Sequence, residues 1–107
     1  MSYDVYLVCP TCGNEVTESW NYTFNISPML YHENVGIKIK EWHDRLARSI
    51  VPELEKGINA LMENPERYEA MNPENGWGSY RGLLDRFLWP MLKAFKEHPK
   101  AIVQIWV

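Results

Sequence analysis

The sequence predicts an α+β protein with a small antiparallel or mixed sheet and helices packed on it. Three patterns predict this class: strict apolar alternation near the N-terminus, helical periodicity through the middle, and a β-branched apolar segment at the end. The chain has 107 residues, of which 46% are hydrophobic and 23% charged, as is typical of globular proteins. This length predicts a single domain, 1–107, with a core that needs no disulfides.

A β-hairpin is predicted at the N-terminus, with strands over 3–8 and 15–26. The second strand alternates clearly, with three aromatic residues and an isoleucine on one face and short polar residues on the other. The turn between the strands is expected at Gly13 and Asn14. A final strand over 101–107 is β-branched and apolar, and is expected to pair with the hairpin beside its first strand.

Helical periodicity begins at Ile37 and predicts three to four helices, over 37–50, 50–63, 65–71 and 79–97. Pro52 separates the first two helices, or kinks one continuous helix at that point. Pro90 lies inside the last pattern and is expected to kink or split it.

Composition limits the classes of partner. The net charge of -3 argues against a nucleic-acid-binding protein, which usually presents a basic face. The chain shows no signal-peptide pattern and no apolar segment of bilayer length, which predicts a cytoplasmic protein without a membrane role. Five tryptophans and six tyrosines are many for this length and hint at a large contact surface.

Asn21, Thr23 and Asn25 form the polar face of the second strand. Asparagine is a poor strand former, so its repetition there is unusual. This face is either solvated or the polar wall of a cleft, and the two interpretations have about equal weight. In the second case the three side chains supply hydrogen bonds to a ligand.

The segment 72–80 is the strongest loop signal in the chain. It carries Asn75, Trp77 and Tyr80, and either the aromatic residues stack on a planar ligand or Trp77 folds back onto the core. His32 lies on the loop after the polar strand and is the histidine that we expect to be functional. His43 and His98 have structural interpretations, at the edge of the core and at a helix C-terminus.

Cys9 and Cys12 lie in the sequence CPTCG, which resembles the zinc knuckle of zinc-ribbon and rubredoxin-type proteins. The resemblance implies a zinc site, although those proteins use two knuckles and this chain has one. The other ligands would be His32, His43 or His98, or the cysteines of a second chain in a homodimer. The alternative is a pair of reduced thiols; redox chemistry is disfavoured because the pair lies between strands and not at a helix N-terminus.

Catalytic signatures are absent from the sequence, so no catalytic residue is predicted and an enzyme is the least favoured function. The segments 21–29, 64–69 and 72–80 resemble a group of small uncharacterised proteins encoded by bacteria and their phages. The resemblance implies a phage or prophage origin and action by binding, either of a nucleotide-like small molecule or of a host protein. We therefore expect a non-enzymatic binding protein with a cleft between strand 17–26 and loop 72–80; a zinc-stabilised interaction module is the alternative.

Overall fold

A computed structural model of the protein describes residues 2–107. Within this range, β1 (Ser2–Val8), β2 (Trp20–Thr23) and β3 (Ile102–Trp106) form one antiparallel sheet in the order β2-β1-β3. The register pairs Tyr3 with Tyr22 and Val5 with Ile105. The α+β class is therefore confirmed, and the last strand lies beside the first as predicted.

Alternation along the strands gives the sheet two different faces. Tyr3, Val5 and Leu7 are almost fully buried and join the hydrophobic core beneath the sheet. The intervening residues of β1, among them Asp4 and Tyr6, point to the opposite face and are only partly buried. The second face is therefore open to solvent, and it continues onto the polar side of β2.

The helices pack against the buried face and lie between β2 and β3 in the sequence. They are α1 (Ser27–Leu30), α2 (Ala47–Glu63), α3 (Pro65–Glu69), α4 (Tyr80–Gly82) and α5 (Trp89–Glu97), with a π-helical segment (Leu83–Leu88) joining the last two. None of the helices within residues 2–107 is both long enough and apolar enough to span a bilayer.

The second strand is shorter than the predicted 15–26. Residues 15–19 contribute only an isolated bridge between Val8 and Glu15, and Phe24–Ile26 forms a 3-10 turn. The hydroxyl of Thr23 accepts a hydrogen bond from the Asn25 backbone N–H at 3.2 Å. This local bond offers the backbone an alternative to the strand ladder, so the strand ends at Thr23.

A continuous helix over 37–50 does not form. Ile39–Trp42 is a 3-10 turn, and Asp44 then adopts a φ of 66°, which breaks the helical path. The segment after it lies along the free edge of β3, where the Asp44 N–H donates to the Val103 carbonyl at 2.8 Å and the Val103 N–H donates to the Arg45 carbonyl at 2.8 Å. These tertiary hydrogen bonds cover an edge that would otherwise be unpaired, and they override the helical periodicity.

Pro52 and Pro90 both lie inside helices, and each helix continues past its proline. Because α2 begins at Ala47 and not near 50, Pro52 lies inside that helix. The predicted helix 79–97 is present and continues through Pro90 without a split: the segment before the proline is π-helical, and the Trp89 N–H donates to the Leu84 carbonyl, five residues back. The π-helical segment thus widens the helix just before the residue that has no N–H to donate.

Candidate functional site

The two sides of β2 contact different environments. Trp20 and Tyr22 pack toward the core, where their rings lie 6.2 Å from the ring of Phe95 and 5.6 Å from that of Phe87, respectively. Asn21 and Thr23 lie on the opposite, more exposed side. Alternation along one short strand therefore anchors the sheet and presents polar groups at the same time.

The polar side of β2 faces an open depression of about 440 Å³. Its walls are formed by Ser2, Asn21, Thr23, Asn25 and Trp77. The indole of Trp77 is 69% exposed, so it does not fold back onto the core. We call this the amide depression. It brings together four of the residues that the sequence proposed for a site, whose role as ligand contacts stays a prediction.

Hydrogen bonds within the protein orient the asparagine amides. The Asn21 side-chain N–H groups donate to the Ser2 hydroxyl at 2.9 Å and to the Asp4 carboxylate. The Asn25 side-chain amide donates to the Thr23 hydroxyl oxygen at 3.1 Å. Asn21 thus has two acceptors for its N–H groups and Asn25 has one, while both keep a carbonyl oxygen for a ligand. The Thr23 hydroxyl, which already accepts two bonds, keeps its proton to donate.

Loop 72–79 holds Trp77 at the rim by means of its own side chains. The Asn75 carboxamide oxygen accepts from the Trp77 N–H at 2.9 Å, and that of Asn72 accepts from the Tyr80 N–H at 2.8 Å. Gly78 adopts a φ of 90°, and a Cβ atom there would lie 2.5 Å from Thr23 Cγ2. The glycine thus allows the loop to pack directly on β2. Asn75 shapes the loop and does not line the amide depression.

Two predicted site residues lie away from the amide depression. His32 packs its ring edge-on to Tyr68 at 5.4 Å, and its Nδ1 accepts from the Asn34 N–H at 3.2 Å. Tyr80 is 4% exposed, and its hydroxyl donates to the Leu61 carbonyl at 2.7 Å. Burial raises the pKa of Tyr80. Both side chains therefore contact other parts of the protein and do not line the amide depression. Because Tyr80 is buried, it offers no stacking surface to a ligand.

The cysteines lie on the tight turn that joins β1 to the following segment. The Gly13 N–H donates to the Cys9 carbonyl at 2.9 Å, with Gly13 at a φ of 76°. Cys9 Sγ lies 3.1 Å from the Thr11 hydroxyl oxygen. Hydrogen bonds from the Thr11 hydroxyl and from the backbone N–H groups of Cys12 and Thr11 hold the pKa of Cys9 at about 6.

The cysteine pair provides two ligands of the four in a tetrahedral site. Among residues 2–107, no group of three or more His, Cys, Asp or Glu side chains is arranged to hold a metal ion. His98 and Cys9 line the same shallow, apolar depression of about 220 Å³. His43 lies elsewhere, at β3, where its Nδ1 accepts from the Ile105 N–H at 3.0 Å. A tetrahedral metal site at Cys9 and Cys12 would need two further ligands, and such a site stays a prediction.

Three participants in the site region were not predicted. Ser2 enters the amide depression because the sheet register pairs it with Thr23. Period-two alternation in β1 places Ser2 and Asp4 on one face, and this signal was present in the sequence. Arg81 and Arg86 line a neighbouring depression on the other side of the loop; no sequence pattern distinguished them from ordinary solvated helix residues.

Comparison of the chain with protein-family models gave no match, and neither did comparison with curated protein sequences or with solved structures.

Proposed function

We propose that the protein is a non-enzymatic binding protein whose small-molecule ligand occupies the amide depression. The observation that carries this proposal is the position of the exposed Trp77 indole in the same recess as the amides of Asn21 and Asn25. An indole face supports a planar ring, and the amide carbonyls recognise donors along the edge of such a ring.

Local structure fixes the backbone position of Trp77 at the rim. The backbone N–H of Trp77 donates to the side-chain oxygen of Asn75, and Gly78 allows the loop to pack against Thr23. An aromatic side chain that is held at a rim and left uncovered is typical of stacking platforms for planar ligands. Because the position is built in before binding, little conformational entropy is lost when a ligand arrives.

The chemistry of the walls favours binding over catalysis. The described side chains that line the amide depression carry hydroxyl groups, amides and an indole. None of these groups titrates near neutral pH. The nearest carboxylate, that of Asp4, accepts from the Asn21 amide and so acts as a support for it. Sequestration of a nucleotide-like molecule is one of the two roles that the sequence resemblance implies, the other being the binding of a host protein.

Isothermal titration calorimetry with a panel of nucleosides and nucleotides tests the proposal. Trp77→Ala is expected to weaken binding about fivefold or more, because stacking on an aromatic side chain contributes about 1–3 kcal/mol. Trp106→Ala is the matched control, since Trp106 is similarly exposed at 63% but lies on β3 and does not line the depression. Equal affinities for the Trp77→Ala and Trp106→Ala proteins would count against the amide depression as the site.

A second candidate function is a metal-stabilised interaction module, in which Cys9 and Cys12 of two copies share one zinc ion. The observation that favours it is the set of hydrogen bonds donated to the Cys9 sulfur, because such bonds stabilise a thiolate ready for metal. Metal analysis and native mass spectrometry of protein purified without chelator test it. A dimer with about one zinc per two chains, dissociated by chelator, is expected; a metal-free monomer would exclude it.

A further inference from the structure

A second depression lies on the other side of the loop that carries Trp77. It has a volume of about 350 Å³, and we call it the arginine depression because Arg81 and Arg86 contribute to its walls. Gly76 and Gly78 of the same loop also line it. The two depressions thus share the loop: Trp77 faces the first, and the glycines on either side of it face the second.

Both arginines are exposed and unengaged by protein acids. The ion pairs found within residues 2–107 join other residues, and neither guanidinium has a carboxylate oxygen within 4.0 Å. Asp85 contributes one carboxylate to the same walls, so two positive charges face one negative charge there. In a protein with a net charge of -3, this is a local excess of positive charge. The planar guanidinium group matches phosphate oxygens in geometry as well as in charge.

The segment Gly76–Gly78 separates the two depressions, and Trp77 is its single residue with a side chain. A Cβ atom at Gly76 would meet nothing within 4 Å, so this part of the loop borders open space. Tyr22 forms part of the floor of the arginine depression, and its neighbours in β2, Asn21 and Thr23, form part of the amide depression. Consecutive residues of the loop and of β2 thus line the two depressions, which places them close together on the surface.

We propose that the ligand carries a phosphate group, which Arg81 and Arg86 bind while its planar base stacks on Trp77. This inference rests on the proposed function and specifies the ligand class as a nucleotide. The base is recognised at its edge by the carbonyl oxygens of Asn21 and Asn25, and the phosphate supplies the charge that the two free guanidinium groups complement.

The test compares each nucleoside 5′-monophosphate (AMP, GMP, CMP and UMP) with its own nucleoside, by calorimetry at fixed low salt. The wild-type protein is expected to bind at least one nucleotide about tenfold or more tightly than the corresponding nucleoside, since hydrogen bonds from guanidinium groups to phosphate are charge-assisted and are weakly screened at low salt. In the Arg81→Gln/Arg86→Gln protein this preference is expected to fall to about twofold or less, with the nucleoside affinity unchanged. Arg48→Gln is the control, because Arg48 is an exposed arginine at the start of α2 outside both depressions.

A second measurement uses inorganic phosphate alone on the 15N-labelled wild-type protein. Chemical-shift changes are expected at the backbone amides of Gly76, Gly78 and Gly82, which line the arginine depression. Equal binding of nucleosides and nucleotides, or an undiminished preference in the double variant, would overturn this inference and leave the proposed function standing. Binding of neither class would overturn both.

Discussion

The hydroxyl of Tyr22 accepts a hydrogen bond from the backbone N–H of Ser79 at 3.0 Å and lies 3.3 Å from the carbonyl oxygen of the same residue. A strand residue thus fixes the end of the loop that carries Trp77. The neighbouring Gly82 makes this contact feasible, because a Cβ atom there would overlap the Tyr22 hydroxyl. Tyr22 therefore contributes, together with the packing of Gly78 on Thr23, to the relative placement of the amide-bearing strand and the indole.

Tyr22→Phe is therefore expected to loosen the loop while keeping the sheet. The phenyl ring retains the stacking on Phe87 at 5.6 Å, but the partly buried Ser79 N–H loses its acceptor. We expect a loss of about 1 kcal/mol in the free energy of unfolding and faster amide hydrogen exchange at Ser79. Urea denaturation and exchange measured by NMR check both effects. Unchanged exchange at Ser79 would show that the tyrosine does not hold the loop.

Two loop glycines offer a matched comparison. Gly76 and Gly78 both have positive φ angles, 77° and 90°, so alanine is strained at either position. Only Gly78 also lacks space, with Thr23 Cγ2 2.5 Å from the position of a Cβ atom. Gly76→Ala is expected to cost about 1 kcal/mol of stability, and Gly78→Ala about 2 kcal/mol or more together with reduced ligand affinity. Thermal and urea denaturation of the two variants measure the difference; equal losses would mean that the loop does not pack on β2.

The elements that the sequence predicted well are those whose periodicity agrees with the tertiary contacts. β1, β3 and the helix after Ser79 fall in this class, since their apolar faces are the ones buried in the core. The segment 37–46 does not. Its apolar residues Ile39 and Trp42 are fully buried as the helical stripe predicts, but its backbone pairs with β3. Periodicity records which side chains are buried, and it does not record where the backbone N–H groups find their partners.

In the candidate site, too, some features could be predicted from sequence patterns and others depend on tertiary contacts. Alternation in β2 and the glycine-rich loop were visible in the sequence, and the structure places Asn21, Thr23, Asn25 and Trp77 around one recess. Tyr80 belongs to the loop signal as well, but the helix that starts there turns its side chain toward Leu61. The arginines of the second depression could not be predicted, because their significance comes from a three-dimensional arrangement in which they line one recess without forming an ion pair.

The buried Trp42 provides a stability prediction away from the site. Its indole N–H donates to the Glu53 carboxylate, which also accepts from the Lys38 backbone N–H at 3.2 Å. Glu53→Ala removes both interactions and leaves a buried donor unpaired, for an expected loss of about 1–3 kcal/mol. Glu53→Gln is the matched control, because its carbonyl oxygen can still accept from the indole, and it is expected to lose about 1 kcal/mol or less. Chemical denaturation followed by tryptophan fluorescence compares the two; similar losses would mean that the acceptor role is unimportant.

The turn that carries the cysteines yields a prediction about reactivity and pH. Hydrogen bonds donated to the Cys9 sulfur favour its charged form, so its pKa lies at about 6, below the ordinary value of 9.0. Below pH 6 the thiol is protonated and slow to react; above it the thiolate dominates and the rate of alkylation reaches a plateau. The Cys12→Ser substitution leaves Cys9 as the single thiol, and the serine hydroxyl can still donate to the Cys9 sulfur. In this variant we expect the rate of the iodoacetamide reaction to rise with pH, with a midpoint near pH 6. Mass spectrometry of quenched samples gives the rate at each pH.

The Thr11 hydroxyl is the largest cause of the lowered pKa of Cys9. Thr11→Val removes this donor with little change in shape, and it is expected to move the midpoint of alkylation upward, toward 9.0. Thr17→Val serves as the control, since the Thr17 hydroxyl donates to the Glu18 carbonyl and not to sulfur. A midpoint that already lies near 9.0 in the parent protein, or one that Thr11→Val leaves in place, would show that the turn does not activate Cys9. It would also remove the observation that favours metal binding at this turn.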